Sequence, residues 1–290
     1  MNKKKVLIIS DGKIGHLNQS IAFCKLKNLS YDILEIKKLN KTKKIFSYIL
    51  DFFNIYINLF SISKIEKNIY KAVVSTGSWT YYSNKYFAQI LNIKSIAIMI
   101  PRGFRYSDFD YILALEHDSS PEKKNIIKLP LNLSINTPKG LIKRSDKKSL
   151  GIVLGGNNTI FNMEVNEIKI SLDNIFKKYP NYLKYVTTSR RTPLEIDKLL
   201  ENYKFDYEVI YSKNSSINPI PDFIEICDEL FISIDSTSML SEAKANSNAN
   251  LHIIYLQSEK KNTKFHRLAK NILNIKGRFD YMIYLNKVNI

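Results

Sequence analysis

The sequence predicts an α/β protein of two Rossmann-like domains whose parallel sheets face a central cleft. Three observations carry that expectation. Short apolar runs rich in β-branched residues recur in the manner of buried parallel strands. Each leads through a polar or glycine-containing turn into a helical pattern. The plan stops at a charged stretch in mid-chain and begins again after it. At 290 residues the chain is long for one core and comfortable for two of roughly 140 residues each.

In the first half, Lys5–Ser10 (KVLIIS) reads as a buried strand. The loop Asp11-Gly12-Lys13-Ile14-Gly15-His16 follows, then a helix from Leu17 to about Lys27. This loop lacks the GxGxxG spacing, so it does not imply a dinucleotide. Tyr31–Ile36 is a second strand, and Lys37–Lys44 a basic, solvated connection. Ile45–Ile62 (IFSYILDFFNIYINLFSI) is apolar and aromatic, with Asp51, Asn54 and Asn58 at helical spacing. Two readings stand: a core helix with its polar residues outward, or a segment lying in a membrane interface between Lys37, Lys38, Lys41, Lys43, Lys44, Lys64 and Lys67. Ala72–Ser75 is a strand ending at Thr76-Gly77-Ser78, with a helix from Trp79 to Leu91. Lys94–Ile100 and Phe109–Ala114 are further strands, leading to Pro101-Arg102-Gly103 and Glu116-His117-Asp118.

Leu133–Lys148, with Pro138, Gly140 and clustered charges, is the linker candidate. The boundaries expected are 1–137, a linker at 138–148, and 149–290. In the second half, Leu150–Leu154 ends in Gly155-Gly156-Asn157-Asn158, with a helix over Met163–Lys178. Leu183–Thr188 ends in Ser189-Arg190-Arg191-Thr192-Pro193, the proline opening the next helix. Tyr207–Tyr211 is a short strand and Pro221–Cys227 a helix. Glu229–Ile234 runs through Asp235-Ser236-Thr237-Ser238, which supplies N-caps, into a helix with Met239, Leu240 and Glu242. Leu251–Leu256 is the last strand, and Thr263–Leu273 a helix.

Composition narrows the function classes. The formal charge of +17 favours anionic partners. It is mostly lysine in a chain also rich in Asn and Ile, a proteome-wide bias, and no RNA-reading or DNA-reading motif accompanies it, so nucleic acid is not expected. Cys24 and Cys227 stand alone in apolar patterns, which indicates buried thiols in a reducing cytosol. The N-terminus lacks a signal-peptide core and no apolar run reaches 18 residues, so a cytoplasmic protein is expected, with peripheral contact at the inner face of a membrane left open.

Five motifs occur in order: DGKIGHLNQ, PRGFRYSDFD…EHD, LGGNN, TTSRRTP and DSTSMLSEA. Together they resemble the elongated-mitochondria fission protein family of plants and its bacterial relatives. The resemblance covers nearly the whole chain, and TSRRTP and DSTSMLSEA are its more specific parts. It implies a glycosyltransferase of the GT-B fold, with an acceptor domain followed by a donor domain. GKIGH is also similar to the glycine–histidine loop of the peptidoglycan transferase that adds N-acetylglucosamine to lipid I. In that class a serine-rich turn and a helix bearing Glu hold the nucleotide-sugar. Ile14 stands where the family has proline, and Asn246–Asn250 replaces a TGKP-like turn.

The chemistry of such a transfer assigns candidate roles. The departing pyrophosphate needs stabilisation, and without an acidic metal-binding cluster no metal or cofactor is expected beyond the nucleotide-sugar substrate. Gly155, Gly156 and Asn157 would let backbone N–H groups approach phosphates. Ser189, Arg190, Arg191 and Thr192 offer hydroxyls and forked cations. Asp235, Ser236, Ser238, Met239, Ser241 and Glu242 complete the donor set, Glu242 accepting from ribose hydroxyls. The acceptor hydroxyl needs a base: His16, with Asp11 orienting it or serving in its place. Gly12, Lys13, Gly15, Asn18, Gln19, Arg102, His117 and Asp118 are the acceptor-side candidates. Asn18 and Gln19 are equally readable as first-turn polar residues, and Arg102 as solvating its own loop. His252 and His266 read as structural.

Three functions compete. One is a glycosyltransferase acting on an envelope glycolipid or polysaccharide precursor. Another is a hydrolase or epimerase of nucleotide-sugars on the same fold. The last is a non-catalytic membrane recruitment protein, in which donor residues would be free to decay.

Overall fold

The computed structural model describes residues 4–36, 40–60, 65–66 and 68–290. Met1–Lys3, Lys37, Lys38, Lys64, Lys67 and the last two positions of the Ile45–Ile62 segment lie outside the described residues. The chain divides into two compact units, 1–134 with 280–290, and 135–279.

Unit 1 is built from β1 (Lys5–Ser10), α1 (Ile14–Leu26), β2 (Tyr31–Glu35), α2 (Lys41–Phe52), β3 (Tyr70–Thr76), α3 (Tyr81–Leu91), β4 (Lys94–Ile98), β5 (Tyr111–Leu115) and β6 (Ile126–Leu129). The strands pair in parallel in the order β2-β1-β3-β4-β5-β6. A sheet covered on both faces explains why its inner strands read as unbroken apolar runs: Val6–Ile9, Val73–Val74 and Ile112–Leu115 are buried. Strand β6 went unforeseen because Lys128 breaks the apolar run of its four residues, IIKL.

Unit 2 repeats the scheme with β7 (Ser149–Leu154), α4 (Val165–Lys178), β8 (Leu183–Thr188), α5 (Leu194–Leu200), β9 (Tyr207–Val209), α6 (Ile220–Ile226), β10 (Glu229–Ser233), α7 (Thr237–Asn246), β11 (Asn250–Ile254) and α8 (Lys264–Asn274). Its order is β11-β10-β7-β8-β9, again all parallel. Leu150, Ile152, Leu154, Ile168, Leu172 and Ile196 form the centre of its core. His252 pairs with Glu229 and stacks on Phe231, and His266 pairs with Thr263, so both serve structure.

Three expectations need correction. The first concerns the boundary, which falls between residues 134 and 135, ahead of the expected linker at 138–148. That stretch belongs to unit 2, where Lys139 N and Leu141 N donate to the Asp222 carboxylate. The segment Asp280–Ile290, expected in the second domain, belongs to unit 1. Its short helix α9 (Met282–Leu285) is held there by Lys27 Nζ, which donates to Leu285 O and Val288 O, and by the Tyr281 hydroxyl, which donates to Asn132 O.

The second concerns Lys37–Lys44. From Asn40, which caps α2 by accepting from Lys43 N, its described part is helix rather than a solvated connection, and Lys44 is half-buried.

The third is the polarity of α2. Ser47 and Asp51 face inward, although Asn54 and Asn58 beyond the helix are exposed as expected. Asp51 is 1% exposed and takes Lys85 Nζ of α3 at 2.6 Å, while Tyr56 OH and Arg105 N donate to the same carboxylate. A buried lysine must be paired, and the only way to bring Asp51 to Lys85 is to turn the polar face of α2 inward. The apolar face then points out: Ile45, Phe46, Ile49, Phe52 and Phe53 are all exposed, Phe52 at 70%. Asn54 ends the helix in left-handed backbone, a conformation asparagine tolerates.

Both cysteines are buried, and burial pushes each thiol up to about 12. Among the described residues no helix is long and apolar enough to cross a membrane.

Candidate functional sites at two switch points

In open parallel sheets, ligands bind at the carboxyl edge where the strand order reverses. Unit 1 reverses between β1 and β3, and unit 2 between β7 and β10. The sequence-derived candidates follow β1, β7 and β10, on loops or on the helices that open there, except Ser189–Thr192 after β8, Arg102 after β4 and His117–Asp118 after β5.

In unit 1, the loop after β1 carries Asp11 and the first turn of α1 carries His16. His16 Nδ1 lies 3.1 Å from each carboxylate oxygen of Asp11, which is buried. Asp11 therefore holds the ring through Nδ1, which leaves Nε2 as the nitrogen able to accept a proton. The loop after β3 supplies the other wall. Gly77 has φ +94°, and a Cβ there would stand 2.3 Å from His16 Cε1. Only a glycine lets the imidazole lie against that backbone. Ser78 Oγ accepts from Lys44 Nζ at 3.0 Å, and the same ammonium sits 4.0 Å above the Trp79 ring. Gly77 N donates to Tyr81 OH, which donates to Ile98 O and so fixes the loop to β4.

Gly12, Lys13, Gly15 and Asn18 are exposed around this dyad. Gln19 Nε2 donates to Gly15 O, a first-turn contact. Arg102 donates through Nη2 to Asp118 O, so it braces its neighbouring loop. His117 is buried in the short turn after β5, and Asp118 beside it is half-buried.

In unit 2, Asp235 is the hub. Its carboxylate, with a side chain 0% exposed, takes Arg191 Nη2 at 2.6 Å, Gly156 N at 3.1 Å and Ser233 Oγ at 2.6 Å. Ser233 Oγ in turn accepts from Gly155 N at 2.7 Å. Ser189 and Thr192 hydroxyls both donate to Gly155 O, and Asn157 N donates to Arg191 O. The glycines are required here by contact: a Cβ on Gly155 would lie 2.1 Å from Asp235 Oδ2, and one on Gly156 2.0 Å from Arg191 O.

This arrangement revises several roles. The N–H groups of Gly155 and Gly156 are consumed inside the protein, and Asp235 is not an N-cap. Ser236 is the cap, its hydroxyl accepting from Met239 N. Arg191 is engaged with Asp235 and Asn157 O. What stays available is Arg190, which is exposed with no ion pair among the described residues, and the opening turn of α7. There Thr237 and Ser238 N–H groups precede the first intrahelical bond. Glu242 follows Ser238 by one turn, on the same face of α7. Its half-buried carboxyl has no hydrogen-bond partner among the described residues, and burial raises it to about 6. Met239 is half-buried, and Ser241 is fully buried beneath this surface. Gly77, Ser78, Trp79 and Ser233 were not foreseen; TGS at the end of a strand was the available signal, but its partner is visible only once β1 and β3 are neighbours.

A family model, Mitochondrial fission ELM1, matches residues 15–278. No curated protein sequence matches the chain. Among solved structures, the glycotransferase of kitacinnamycin is similar over 100% of this chain and 88% of its own, at 10% identity and TM-score 0.53. MnaA of S. aureus, in a co-structure with UDP, is similar over 98% and 90%, at 10% identity and TM-score 0.49. The glycosyltransferase SnogD from Streptomyces nogalater is similar over 93% and 84%, at 9% identity and TM-score 0.49. At 10% identity the likeness to the kitacinnamycin glycotransferase is one of fold, and the fold class is GT-B-like, with two doubly wound parallel-sheet units.

Proposed function

This chain belongs to the mitochondrial fission ELM1 family, and we propose that it is a glycosyltransferase moving a sugar from a nucleotide-activated donor to a glycolipid or polysaccharide acceptor of the cell envelope. The observation that carries this reading is the complementary chemistry of the two switch points. One holds a base oriented by a buried carboxylate; the other holds an open cation, a helix N-terminus and an unpaired carboxyl. A non-catalytic protein has no need of either set.

On this reading unit 2 takes the donor. Arg190 and the N-terminal turn of α7 meet the pyrophosphate, whose negative charge grows as it leaves. Glu242 accepts hydrogen bonds from ribose hydroxyls. Unit 1 takes the acceptor, whose hydroxyl oxygen bonds to the anomeric carbon as the bond from that carbon to the nucleoside diphosphate breaks. The hydroxyl proton passes to His16 Nε2, and Asp11 stabilises the imidazolium that forms. No step calls for a metal.

The outward apolar face of α2 supports a peripheral contact with an anionic bilayer. Its exposed Ile and Phe side chains suit the acyl boundary, and Lys41 and Lys43 on the same helix suit anionic headgroups. An acceptor carried in that bilayer would be reached without leaving the surface.

Calorimetric titration with a panel of nucleoside diphosphate sugars tests the donor role. One nucleotide class should bind, with the affinity at least tenfold weaker in Arg190→Ala. Absence of binding by every member would remove the transferase reading.

A further inference from the structure

Unit 1 gives several of its partly or fully buried cations hydrogen-bonded partners. Lys85 is shared between Asp51 and Asp108, Arg105 pairs with Asp108, and Lys27 caps two carbonyls of the C-terminal turn. Lys44 and Lys71, both half-buried, have no ion pair among the described residues, and of the two it is Lys44 that bonds to the Gly77–Trp79 loop. It is half-buried at the mouth of the Asp11–His16 pair, yet its ammonium has only the Ser78 hydroxyl and the faces of Trp79 and Tyr48, with no carboxylate within ion-pair reach among the described residues. Burial and the neighbouring charge of Lys13 both lower its pKa, so the fold brings a second cation towards it rather than an anion. Lys13 likewise has no ion pair among the described residues, and its backbone N–H is fixed on Asp11 Oδ1 at 3.2 Å. A half-buried ammonium and a hydroxyl thus lie on the loop that walls His16, with the exposed Lys13 on the neighbouring loop, and a cation partly held from water without an opposite charge is costly. The group that completes such a cluster is a dianion with several acceptor oxygens.

We propose that Lys13, Lys44 and Ser78 hold a phosphate group of the acceptor, next to the hydroxyl that His16 deprotonates. This rests on the transferase reading and narrows it: the acceptor is a phosphate ester. The phosphate neutralises both lysines, and Ser78 Oγ, already accepting from Lys44, donates its own hydrogen to a phosphate oxygen. The Trp79 ring flanks the site and offers an apolar platform to the rest of the molecule. Lys44 stands on α2, so the helix with the outward apolar face also supplies the phosphate ligand. That juxtaposition favours a phosphate at a lipid headgroup, although a water-soluble sugar phosphate presents the same chemistry.

Trp79 is the sole tryptophan of the chain, so its fluorescence reads this site alone. The full-length protein is titrated with pyrophosphate, glucose 1-phosphate, farnesyl monophosphate below its micellar range, and farnesol. Saturable changes are expected with the phosphates and none with farnesol. Lys13→Gln, which leaves the stack of Lys44 on Trp79 in place, and Lys44→Gln should each raise the dissociation constants at least tenfold. Farnesyl monophosphate binding more tightly than glucose 1-phosphate would assign a lipid-linked acceptor; the reverse order would assign a soluble one, and both keep the subsite. No response to any phosphate, or equal affinities in wild type and both variants, would overturn it. Nucleotide-sugar binding, weakened by Arg190→Ala, is read by calorimetry on the other unit, so loss of the subsite alone leaves the transferase reading standing.

Discussion

Arg191 Nη2 lies 2.6 Å from Asp235 Oδ2, and this pair divides the two adjacent arginines into different tasks. Arg191 ties the loop after β8 to the loop after β10, while Arg190 is exposed with no ion pair among the described residues. Because Asp235 also accepts from Gly156 N and Ser233 Oγ, it is the more costly member to lose. Asp235→Ala should destabilise the protein by about 3 kcal/mol, since it strands a buried donor set. Arg191→Ala should cost about 2 kcal/mol: the guanidinium is itself 36% exposed, but the carboxylate it leaves behind is 0% exposed. Urea melts of the two variants compare these values directly.

Gly77 should be as important as His16 itself. In Gly77→Ala a methyl group meets the imidazole and the left-handed backbone is strained. Transfer should fall about 100-fold, the scale of losing a positioned base, with the far-ultraviolet circular dichroism of the wild type retained. His16→Ala should fall by a similar factor, and the double variant little further.

Glu242 gives a pH signature. Its pKa rises from 4.5 to about 6 because burial penalises the charged form. The unfolded chain ionises this group first, so its burden is absent below pH 4.5, grows as pH rises through 4.5 to 6, and is complete above 6. Glu242→Gln should therefore be more stable than wild type at pH 8, by at most about 2 kcal/mol, and equal to it near pH 4. Nucleotide affinity should behave in the opposite sense, strengthening through pH 6 in the wild type and staying weak and flat in the variant. Denaturant melts and calorimetry at matched pH values check both halves.

The outward face of α2 separates binding from folding. Phe52→Ser combined with Phe53→Ser removes side chains 70% and 63% exposed, so folding stability should shift by less than about 1 kcal/mol. Sedimentation with anionic vesicles should show at least a tenfold loss of partitioning, and neutral vesicles should bind the wild type weakly. Lys85→Met is the contrasting variant: it leaves Asp51 buried without its cation and should cost about 3 to 5 kcal/mol.

Strand positions were legible because a parallel sheet buried on both faces demands unbroken β-branched runs, and β1 and β8 occupy the residues that the apolar pattern marks. The loops that carry the candidate residues were legible too, since each begins where an apolar run ends. Partnerships were not. That Gly77 makes room for His16 depends on β3 lying beside β1, and that Asp235 consumes the Gly156 N–H depends on β10 lying beside β7; strand order leaves no local trace. The polarity of α2 escaped for a related reason. Its sequence shows two faces, but which one turns inward was decided by Lys85, a residue on another helix. The return of Asp280–Ile290 to unit 1 rests on Lys27 and Asn132, which no pattern near the C-terminus announces.

The most direct test of the account is amide hydrogen exchange of the full-length protein with and without a saturating nucleotide-sugar. Slowed exchange is expected at Thr237, Ser238 and the residues around Arg190, with little change at Gly155 and Gly156, whose N–H groups are already bonded within the protein. Protection spread elsewhere, or none at the start of α7, would contradict the placement of the donor at the β7–β10 switch point.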